Sequence, residues 1–323
     1  MRRTAAATVG ILLTGGLLVP PGRATAGTAD IADVAGTTDI AAWTYRTLSA
    51  PSRVQVLDAG SRPLATFTVG ARTVTVRGPA RVFSEPATTT ARVTSTTWVR
   101  LLPGPFNGTV DTVWLERALE TASPDVLAKA AQYVAGAPTR LAGDGSVLAD
   151  DADYGPLQPD GTRAEGSDFN DYLGKTWSYG PTVDEPEADQ AGALDCSGFV
   201  RMIFGHRFNV PLALSPDGTR LPRRSAQMLS SAPGVVTIRD TGTRPSSLAK
   251  LAPGDLVFFD GSSDDGTLVD HVGIYVGLDG SGAPRFISSR KTANGPTLGD
   301  VGGRSTLSGT GHYANTWRAA RRL

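Results

Sequence analysis

The sequence predicts an α+β domain in the second half of the chain, and three observations lead to it. Apolar residues recur at helical spacing after Cys196, three apolar stretches of strand length follow Gly254, and Gly and Pro separate these stretches. Helical spacing indicates a helix, and apolar runs bounded by turn residues indicate strands. A helix followed by successive antiparallel strands predicts an α+β arrangement in which the helix packs on the sheet.

Residues 1–26 have the order of a secretory signal peptide. Arg2 and Arg3 precede an apolar stretch at residues 5–19, and small residues follow at positions 24–26. The alternative is a membrane anchor, but the apolar stretch is shorter than the ~20 residues that a span requires. We therefore expect cleavage after the small residues, a secreted or cell-wall protein, and no membrane span in the mature chain.

The interval before the α+β domain divides by composition. Residues 27–49 have few large apolar side chains, which predicts a flexible leader. Residues 50–103 contain short apolar runs separated by Gly and Pro, which predict a β-rich accessory module. Residues 104–141 are expected to be a helical connector, and residues 142–166, rich in Asp, Gly and Pro, a linker.

Two helices are expected in the connector. Apolar residues from Thr109 to Glu120 follow helical spacing. After them, Ser123 can cap a second helix, with Pro124 in its first turn. This second helix is expected to end near Gly136.

The domain at residues 167–323 begins with a short helix that Ser167 can cap. A longer helix is expected from Ser197 to Phe208, with its apolar residues on one side. Three strands follow, at residues 255–259, 271–276 and 285–288. These strands are expected to be successive and antiparallel.

The charge balance excludes some functions. Lys and Arg number 31, Asp and Glu number 31, and no long run of like charge occurs. We therefore expect no nucleic-acid partner. One cysteine and three scattered histidines form no metal-binding pattern, and the acidic residues 260–266 do not have calcium-loop spacing. No metal or cofactor is expected.

Cys196 is the only cysteine, so it cannot form an internal disulfide. In a secreted protein such a residue suggests a reactive thiol. It stands where the helical pattern begins, and a helix N-terminus can lower a thiol pKa and favour the nucleophilic thiolate. Asp195 and Ser197 flank it, and small polar neighbours favour an accessible turn. The alternative is a buried structural cysteine.

His271 is the candidate general base. It opens an apolar strand that is expected to be central in the sheet, whereas His206 lies near a helix end and His312 near the C-terminus. A histidine at this position can take the proton of Cys196 if a third polar group fixes its tautomer. The alternative is a core histidine with satisfied hydrogen bonds.

Four motifs in order carry a resemblance to a known family. They are LGKTWSYG at 173–180, DCSGFV at 195–200, PGDLVFF at 253–259 and HVGIYVG at 271–277. Together they resemble the NlpC-type cell-wall peptidase family over residues 167–323. The resemblance implies a papain-like fold and hydrolysis of peptidoglycan stem peptides, between the γ-carboxyl of D-glutamate and the following diamino acid. It also implies that Cys196 is the nucleophile and His271 the base, with the Cys196 backbone N–H helping to hold the oxyanion.

Further site residues follow from the same resemblance. Trp177 stands where the family usually has a tyrosine close to the nucleophile, and it offers an indole N–H instead. Tyr179 is the nearby substitute. Ser288 stands at the third catalytic position, where the family usually has histidine, and Asn294 and Asp300 are the fallbacks. Arg223 and Gln227 match a segment near the substrate groove, and Asp195 and Ser197 flank the nucleophile.

Three functions stay open at this point. The first is a peptidoglycan endopeptidase with a Cys-His mechanism. The second is an amidase that cuts between muramic acid and L-alanine, or an acyltransferase, on the same fold. The third is a wall-binding protein without catalysis. In each case bacterial peptidoglycan is the expected partner. The β-rich module is expected to dock to the wall or to a partner, or to cover the groove.

Overall fold

The computed structural model describes residues 43–85, 91–262, 266 and 268–323. The predicted signal peptide, most of the predicted leader and part of the acidic loop at 260–266 lie outside the described residues. All of the described residues fall in one unit, Asp39–Leu323. Over these ranges, no helix has the length and apolar character needed to cross a membrane.

The first sheet has five antiparallel strands in chain order. They are β1 (Thr44–Leu48), β2 (Arg53–Leu57), β3 (Pro63–Thr68), β4 (Thr73–Ser84) and β5 (Arg92–Leu101). Strand β1 falls within the residues that were expected to be a flexible leader. Its five residues all pair with β2, but four of the five side chains are exposed. Without an apolar pattern, this edge strand gave no signal in the sequence.

Two helices follow, and both are shorter than expected. Helix α1 is Thr112–Glu120 and helix α2 is Val126–Ala130. The N-cap of α2 is Asp125, so the prediction of Ser123 was wrong. One Asp125 carboxylate oxygen accepts the Ala128 N–H at 2.8 Å, and the other accepts the Val99 N–H at 2.6 Å. The same side chain therefore caps the helix and joins it to β5.

Short elements connect the helices to the second sheet. They are β6 (Arg140–Leu141), β7 (Val147–Ala149), α3 (Phe169–Leu173), β8 (Trp177–Ser178) and β9 (Val183–Asp184). Helix α3 is capped by Asp168, not by Ser167 as predicted, and Asp171 completes a capping box. Ser167 instead uses its carbonyl oxygen to accept the Asp195 N–H at 2.9 Å. This bond ties the entry of α3 to the segment that carries the cysteine.

The second sheet has six strands in the order β10-β15-β11-β12-β13-β14, all antiparallel. The strands are β10 (Val235–Ile238), β11 (Leu256–Phe259), β12 (His271–Leu278), β13 (Pro284–Arg290), β14 (Gly295–Thr297) and β15 (Trp317–Arg322). The remaining helices are α4 (Cys196–Val200), α5 (Ser225–Ser231) and α6 (His312–Thr316). Helix α4 packs against β12 and β13. The described residues therefore combine helices with antiparallel sheets, which is an α+β fold.

Helix α4 continues into a π-helical segment, Arg201–Arg207. Phe199, Val200, Ile203 and Phe204 are fully buried in the core between this helix and the sheet. Their burial explains why the apolar pattern predicted a helix from Ser197 to Phe208. Cys196 is the first residue of α4, so the packing of this buried helix face fixes its position.

The two sheets share contacts and a core. Val93 and Val99 of β5 belong to the same apolar cluster as Phe199. A carboxylate oxygen of Glu85 accepts the Thr297 hydroxyl at 2.8 Å and the Leu298 N–H at 2.9 Å. The five-stranded sheet is therefore packed directly against the domain that carries the candidate site.

Candidate active site

Cys196 is the first residue of α4 and is held there by its neighbour. The Asp195 carboxylate accepts the Gly198 N–H at 2.7 Å and caps the helix. A Cβ at Gly198 would lie 2.2 Å from the carbonyl oxygen of Ser167, so only glycine fits this close approach. The sequence Asp-Cys-Ser-Gly thus places the thiol at a helix start, as expected. The Cys196 residue is only 7% exposed.

The thiol lies beside the start of β12. Its sulfur is 3.9 Å from the carbonyl oxygen of Asp270, the residue before His271. The backbone N–H of Val272, the residue after His271, donates toward the same sulfur and acts to lower the thiol pKa. The structure therefore brings Cys196 and His271 together, although 75 positions separate them in the chain.

Ser288 contacts the imidazole of His271. The His271 Nε2 atom and the Ser288 Oγ atom are 3.0 Å apart. Strands β12 and β13 are antiparallel neighbours, so the beginning of β12 and the end of β13 lie at the same end of the sheet. Ser288 is fully buried, so its hydroxyl is held inside the protein at this end of the sheet. Of the three candidates for the third position, Ser288 is the one in contact with His271.

Arg290 lies behind Ser288. Its Nε donates to the same Ser288 Oγ at 3.0 Å, so the hydroxyl sits between a guanidinium and an imidazole. The sequence analysis did not single out this arginine. The signal available was its position two residues after Ser288, which puts both side chains on one face of a strand.

Burial sets the protonation of the cysteine and histidine. Burial, and then the nearby Asp195 carboxylate, raise the pKa of the Cys196 thiol well above its usual value. Burial, and then Arg290 and His312, lower the pKa of His271 to about 3, although Asp195 opposes the shift. The expected low thiol pKa was wrong, because α4 starts under packed residues and not at a solvated turn. At neutral pH the structure holds a neutral thiol beside a neutral imidazole.

Two adjoining cavities form the groove around these residues. The first, of about 560 Å³, contains Cys196, and the second, of about 440 Å³, contains His271. Tyr154, Glu165 and Asp270 line both. Among the described residues, all that line either cavity lie between Tyr154 and Tyr313. No described residue of the five-stranded sheet lines the groove. The structure therefore does not favour the interpretation that the β-rich module covers the groove.

Tyr154 is a site residue that the sequence analysis missed, because it lies in the predicted linker. It is 3% exposed, and an Asn294 side-chain oxygen accepts its backbone N–H at 3.2 Å. Burial, and then Cys196, raise the pKa of its phenol, so the hydroxyl stays protonated. A protonated phenol in the groove beside the thiol is a hydrogen-bond donor for a substrate oxygen.

Arg223 forms a hydrogen-bond network with Asp195 and Ser197, the two residues that flank the nucleophile. Its guanidinium donates to the Asp195 carboxylate at 2.7 Å and to the Ser197 hydroxyl at 2.6 Å. Burial acts to raise the pKa of Asp195, but the ion pair with Arg223 leaves that pKa below its usual range. Arg223 also lines the cavity that contains Cys196. The structure therefore brings together three of the predicted residues: Asp195, Ser197 and Arg223.

Comparison with known proteins places this geometry in a family. Residues 174–304 match the model of the NlpC/P60 family. This part of the chain is an NlpC/P60 domain. Proteins of this family are generally cell-wall peptidases or other cell-wall hydrolases. The match includes Cys196, His271 and Ser288, but it begins after Tyr154 and Glu165.

A solved structure and the curated proteins complete the comparison. A Staphylococcus aureus subsp. aureus Mu50 protein, described as similar to lipoprotein, NLP/P60 family, is 17% identical to this chain, with a TM-score of 0.29. The match covers 68% of this chain and 51% of the staphylococcal chain, so it spans about half of that structure. No match was found among curated proteins.

Three predicted binding residues of the NlpC/P60 domain lie away from the groove. The Trp177 indole packs edge-on against Phe169, at 4.9 Å between ring centroids, and also against His206. The Tyr179 hydroxyl accepts a hydrogen bond from Arg201 in the core. The Gln227 side chain accepts the backbone N–H of Arg224, the N-cap residue of α5, at 3.3 Å. None of the three lines the two cavities.

The fallback residues for the third position have other partners. Asn294 donates to Asp153 at 2.6 Å and accepts from Tyr154, so it holds the Tyr154 segment in place. Asp300 accepts from Arg285 at 2.7 Å. Within the described ranges no group of three or more His, Cys, Asp or Glu side chains could hold a metal ion. The chemistry available in the groove is that of the thiol, the imidazole and their hydrogen-bond partners.

Proposed function

We propose that this protein is a secreted peptidoglycan hydrolase that cleaves stem peptides between the γ-carboxyl of D-glutamate and the following diamino acid. One observation carries the proposal: Cys196 starts a helix beside His271, and Ser288 lies 3.0 Å from the imidazole Nε2. A nucleophile, a base and a third group in this order form the arrangement that thiol hydrolases use.

The proposal includes a papain-like arrangement for residues 167–323. It is supported by α4, which carries the nucleophile and packs on the antiparallel sheet, and by the base at the start of β12. We further propose that residues 1–26 direct export, and that the segment 150–166 belongs to the catalytic unit. Tyr154 and Glu165, which line both cavities, support this last point.

The neutral resting pair requires that proton transfer accompany attack. As the Cys196 sulfur bonds to the scissile carbonyl carbon, its proton passes to His271, at the ring nitrogen that does not face Ser288. The resulting imidazolium then protonates the leaving amine, and the C–N bond breaks to leave a thioester. A water molecule next gives one proton to His271 and attacks the thioester, and the thiol recovers its proton as the acid is released.

Two donors are available for the oxyanion that forms during attack. The Cys196 backbone N–H is the first of α4, where helical N–H groups have no partner within the helix. Tyr154 lines both cavities, and its hydroxyl stays protonated. We propose that these two groups stabilise the oxyanion together. Tyr154 then takes the role that the sequence analysis gave to Trp177.

The groove also carries charges that suit a stem peptide, which has both carboxylates and amines. Arg224 is exposed and lines the cavity that contains Cys196. Lys291 lines the other cavity and pairs with Glu165 at 2.7 Å. We propose that Arg224 and Lys291 bind substrate carboxylates and that Glu165 binds an amine.

Loss of turbidity in a cell-wall suspension tests the proposal. The wild type is expected to clear the suspension, whereas Cys196→Ala and Cys196→Ser are not. Because Cys196 is the only cysteine, iodoacetamide provides a matched chemical control: once intact-mass analysis shows complete alkylation, clearing by the wild type should be abolished. Clearing that persists in Cys196→Ala and after alkylation would contradict the thiol mechanism.

Mass spectrometry of the released fragments identifies the bond. New amines on the diamino acid and new carboxyls on glutamate support the proposed endopeptidase. Release of intact stem peptides would instead indicate an amidase, and transfer of the acyl group to an added amine an acyltransferase. Binding to the wall without any released fragment would indicate a non-catalytic protein.

A further inference from the structure

Arg290 is a buried cation that has no part in the proposed reaction steps. It is 2% exposed, and its guanidinium donates to the Ser288 hydroxyl, the Ser305 hydroxyl and the carbonyl oxygen of Gly303. It also lies over the Tyr313 ring, 4.3 Å from the centroid. In the part of the chain that the structure describes, no carboxylate forms an ion pair with it. Burial of an unpaired charge is costly, which suggests that this position has a use.

We propose that Arg290 is a positioning residue that acts on His271 through the Ser288 hydroxyl. The proposal rests on the proposed function, because a hydrolase is what gives His271 its role as base. It concerns a residue that touches neither the thiol nor the substrate in the proposed mechanism.

Hydrogen-bond capacity supports the positional part of the proposal. A guanidinium can only donate, so the Arg290 Nε–H occupies one of the two lone pairs of the Ser288 oxygen. That bond fixes the oxygen 3.0 Å from His271 Nε2. When His271 is protonated, its Nε2–H must donate to the remaining lone pair. The imidazole is therefore held from one side by an oxygen that cannot rotate away while Arg290 is in place.

Charge supports the electrostatic part. Once His271 holds the Cys196 proton, the Ser288 oxygen lies between two cations, and no carboxylate of the described residues is bonded to it. Arg290 therefore disfavours the imidazolium, which stays short-lived and readily gives its proton to the leaving amine. This differs from a third residue that is a carboxylate, which would stabilise the imidazolium.

Other groups also face His271 and must be considered. Asp195 carries a negative charge but is paired with Arg223 at 2.7 Å, and His312 and Tyr313 approach from α6. Cys196 on α4 and Asp270, the residue before β12, lie next to it. Of all these groups, Arg290 is the permanent cation that is joined to the imidazole through a single hydroxyl, that of Ser288. Its removal should therefore have the largest effect on the protonation of His271.

The test compares Arg290→Gln with Arg290→Lys and with Arg285→Gln, a control on the same strand. A base is active when neutral, so kcat/KM falls as pH drops below the pKa of His271. Arg290→Gln should move this acid limb upward by about one pH unit or more. Arg290→Lys keeps the charge and should lower kcat without moving the limb, and Arg285→Gln should leave it in place. Loss of activity in Arg290→Gln with an unmoved acid limb would overturn the proposal.

A measurement on the wild type covers the case in which Arg290→Gln does not fold. The imidazole resonances of His271, identified by comparison with His271→Gln, are followed by NMR as pH falls. They should stay those of a neutral ring from pH 7 to about pH 4, and titration near the ordinary value of about 6.5 would overturn the proposal. The NMR titration needs no substrate. A chain without hydrolase activity whose His271 titrates at higher pH in Arg290→Gln than in the wild type would therefore sink the proposed function and leave the role of Arg290 standing.

Discussion

The Nε2 atom of His271 lies 3.0 Å from the Oγ atom of Ser288, a group that can orient an imidazole but cannot neutralise its charge. Ser288→Ala should lower kcat by about 10- to 100-fold with little change in KM, since a hydrogen bond to a charged group contributes about 1.5–3 kcal/mol. Steady-state kinetics on a purified stem peptide provide the measurement. Ser281→Ala, at the β12–β13 turn, is the matched control, and equal kinetics for both variants would show that Ser288 is not used.

The thiol of Cys196 should react slowly at neutral pH. Burial raises its pKa, so the thiolate is scarce below the usual thiol range and grows as pH rises toward and beyond it. We expect the rate of alkylation by iodoacetamide to increase steadily above pH 8, without a plateau between pH 4 and 7. A cysteine-containing peptide with an ordinary pKa serves as the reference. A plateau at acidic pH that disappears in His271→Ala would instead reveal a thiolate-imidazolium pair.

Much of the site could be predicted because its signals are local. Asp195, Cys196 and Gly198 form one helix start, and His271 opens a strand whose apolar residues are visible in the sequence. Ser288 was predicted from the family resemblance, which places the third catalytic position in the strand after His271. The α+β class followed from the apolar spacing of the same elements.

The rest depends on contacts between distant segments. Tyr154 reaches the groove because Asn294 binds its backbone and because residues 153 and 193 form a bridge. No spacing in the sequence encodes those contacts. Trp177 was expected in the groove from its motif, but Phe169 and His206 offer its ring a buried contact. The protonation of Cys196 was mispredicted for the same reason, because burial comes from residues far along the chain.

Tyr154→Phe tests the proposed oxyanion donor. Removing one such donor costs about 100- to 1,000-fold in kcat, so we expect a loss of that size with KM nearly unchanged. Tyr172→Phe is the matched control, since its hydroxyl donates a long bond, 3.5 Å, to the Asp150 carbonyl oxygen and Tyr172 lines neither cavity. Equal loss in the two variants, or none in Tyr154→Phe, would remove Tyr154 from the mechanism.

Arg223→Met should destabilise the fold. It leaves the buried Asp195 carboxylate without its cation, and breaking a buried ion pair costs about 3–5 kcal/mol. Urea denaturation gives the free energy of unfolding, and Arg224→Met, the exposed neighbour, should change it by less than about 0.5 kcal/mol. A similar small change in both variants would contradict this.

The same ion pair predicts a pH dependence of stability. The pKa of Asp195 is lower in the folded chain than in the unfolded one, so its contribution is present above about pH 3.9. The contribution is lost as pH falls through the folded value. The stability gap between the wild type and Arg223→Met should therefore narrow in acid. A gap that stays constant from pH 7 to pH 2 would show that the pair does not stabilise the fold through charge.

The covalent intermediate on Cys196 is the most direct test of the thiol mechanism. A stem peptide is mixed with excess wild-type protein, quenched in acid within the first turnover, and analysed by intact-protein mass spectrometry and peptide mapping. We predict a mass increase equal to the acyl part of the stem peptide, located on the peptide that contains Cys196, and none in Cys196→Ala. Hydrolysis of the stem peptide at the wild-type rate by Cys196→Ala, without an adduct on either protein, would contradict the account.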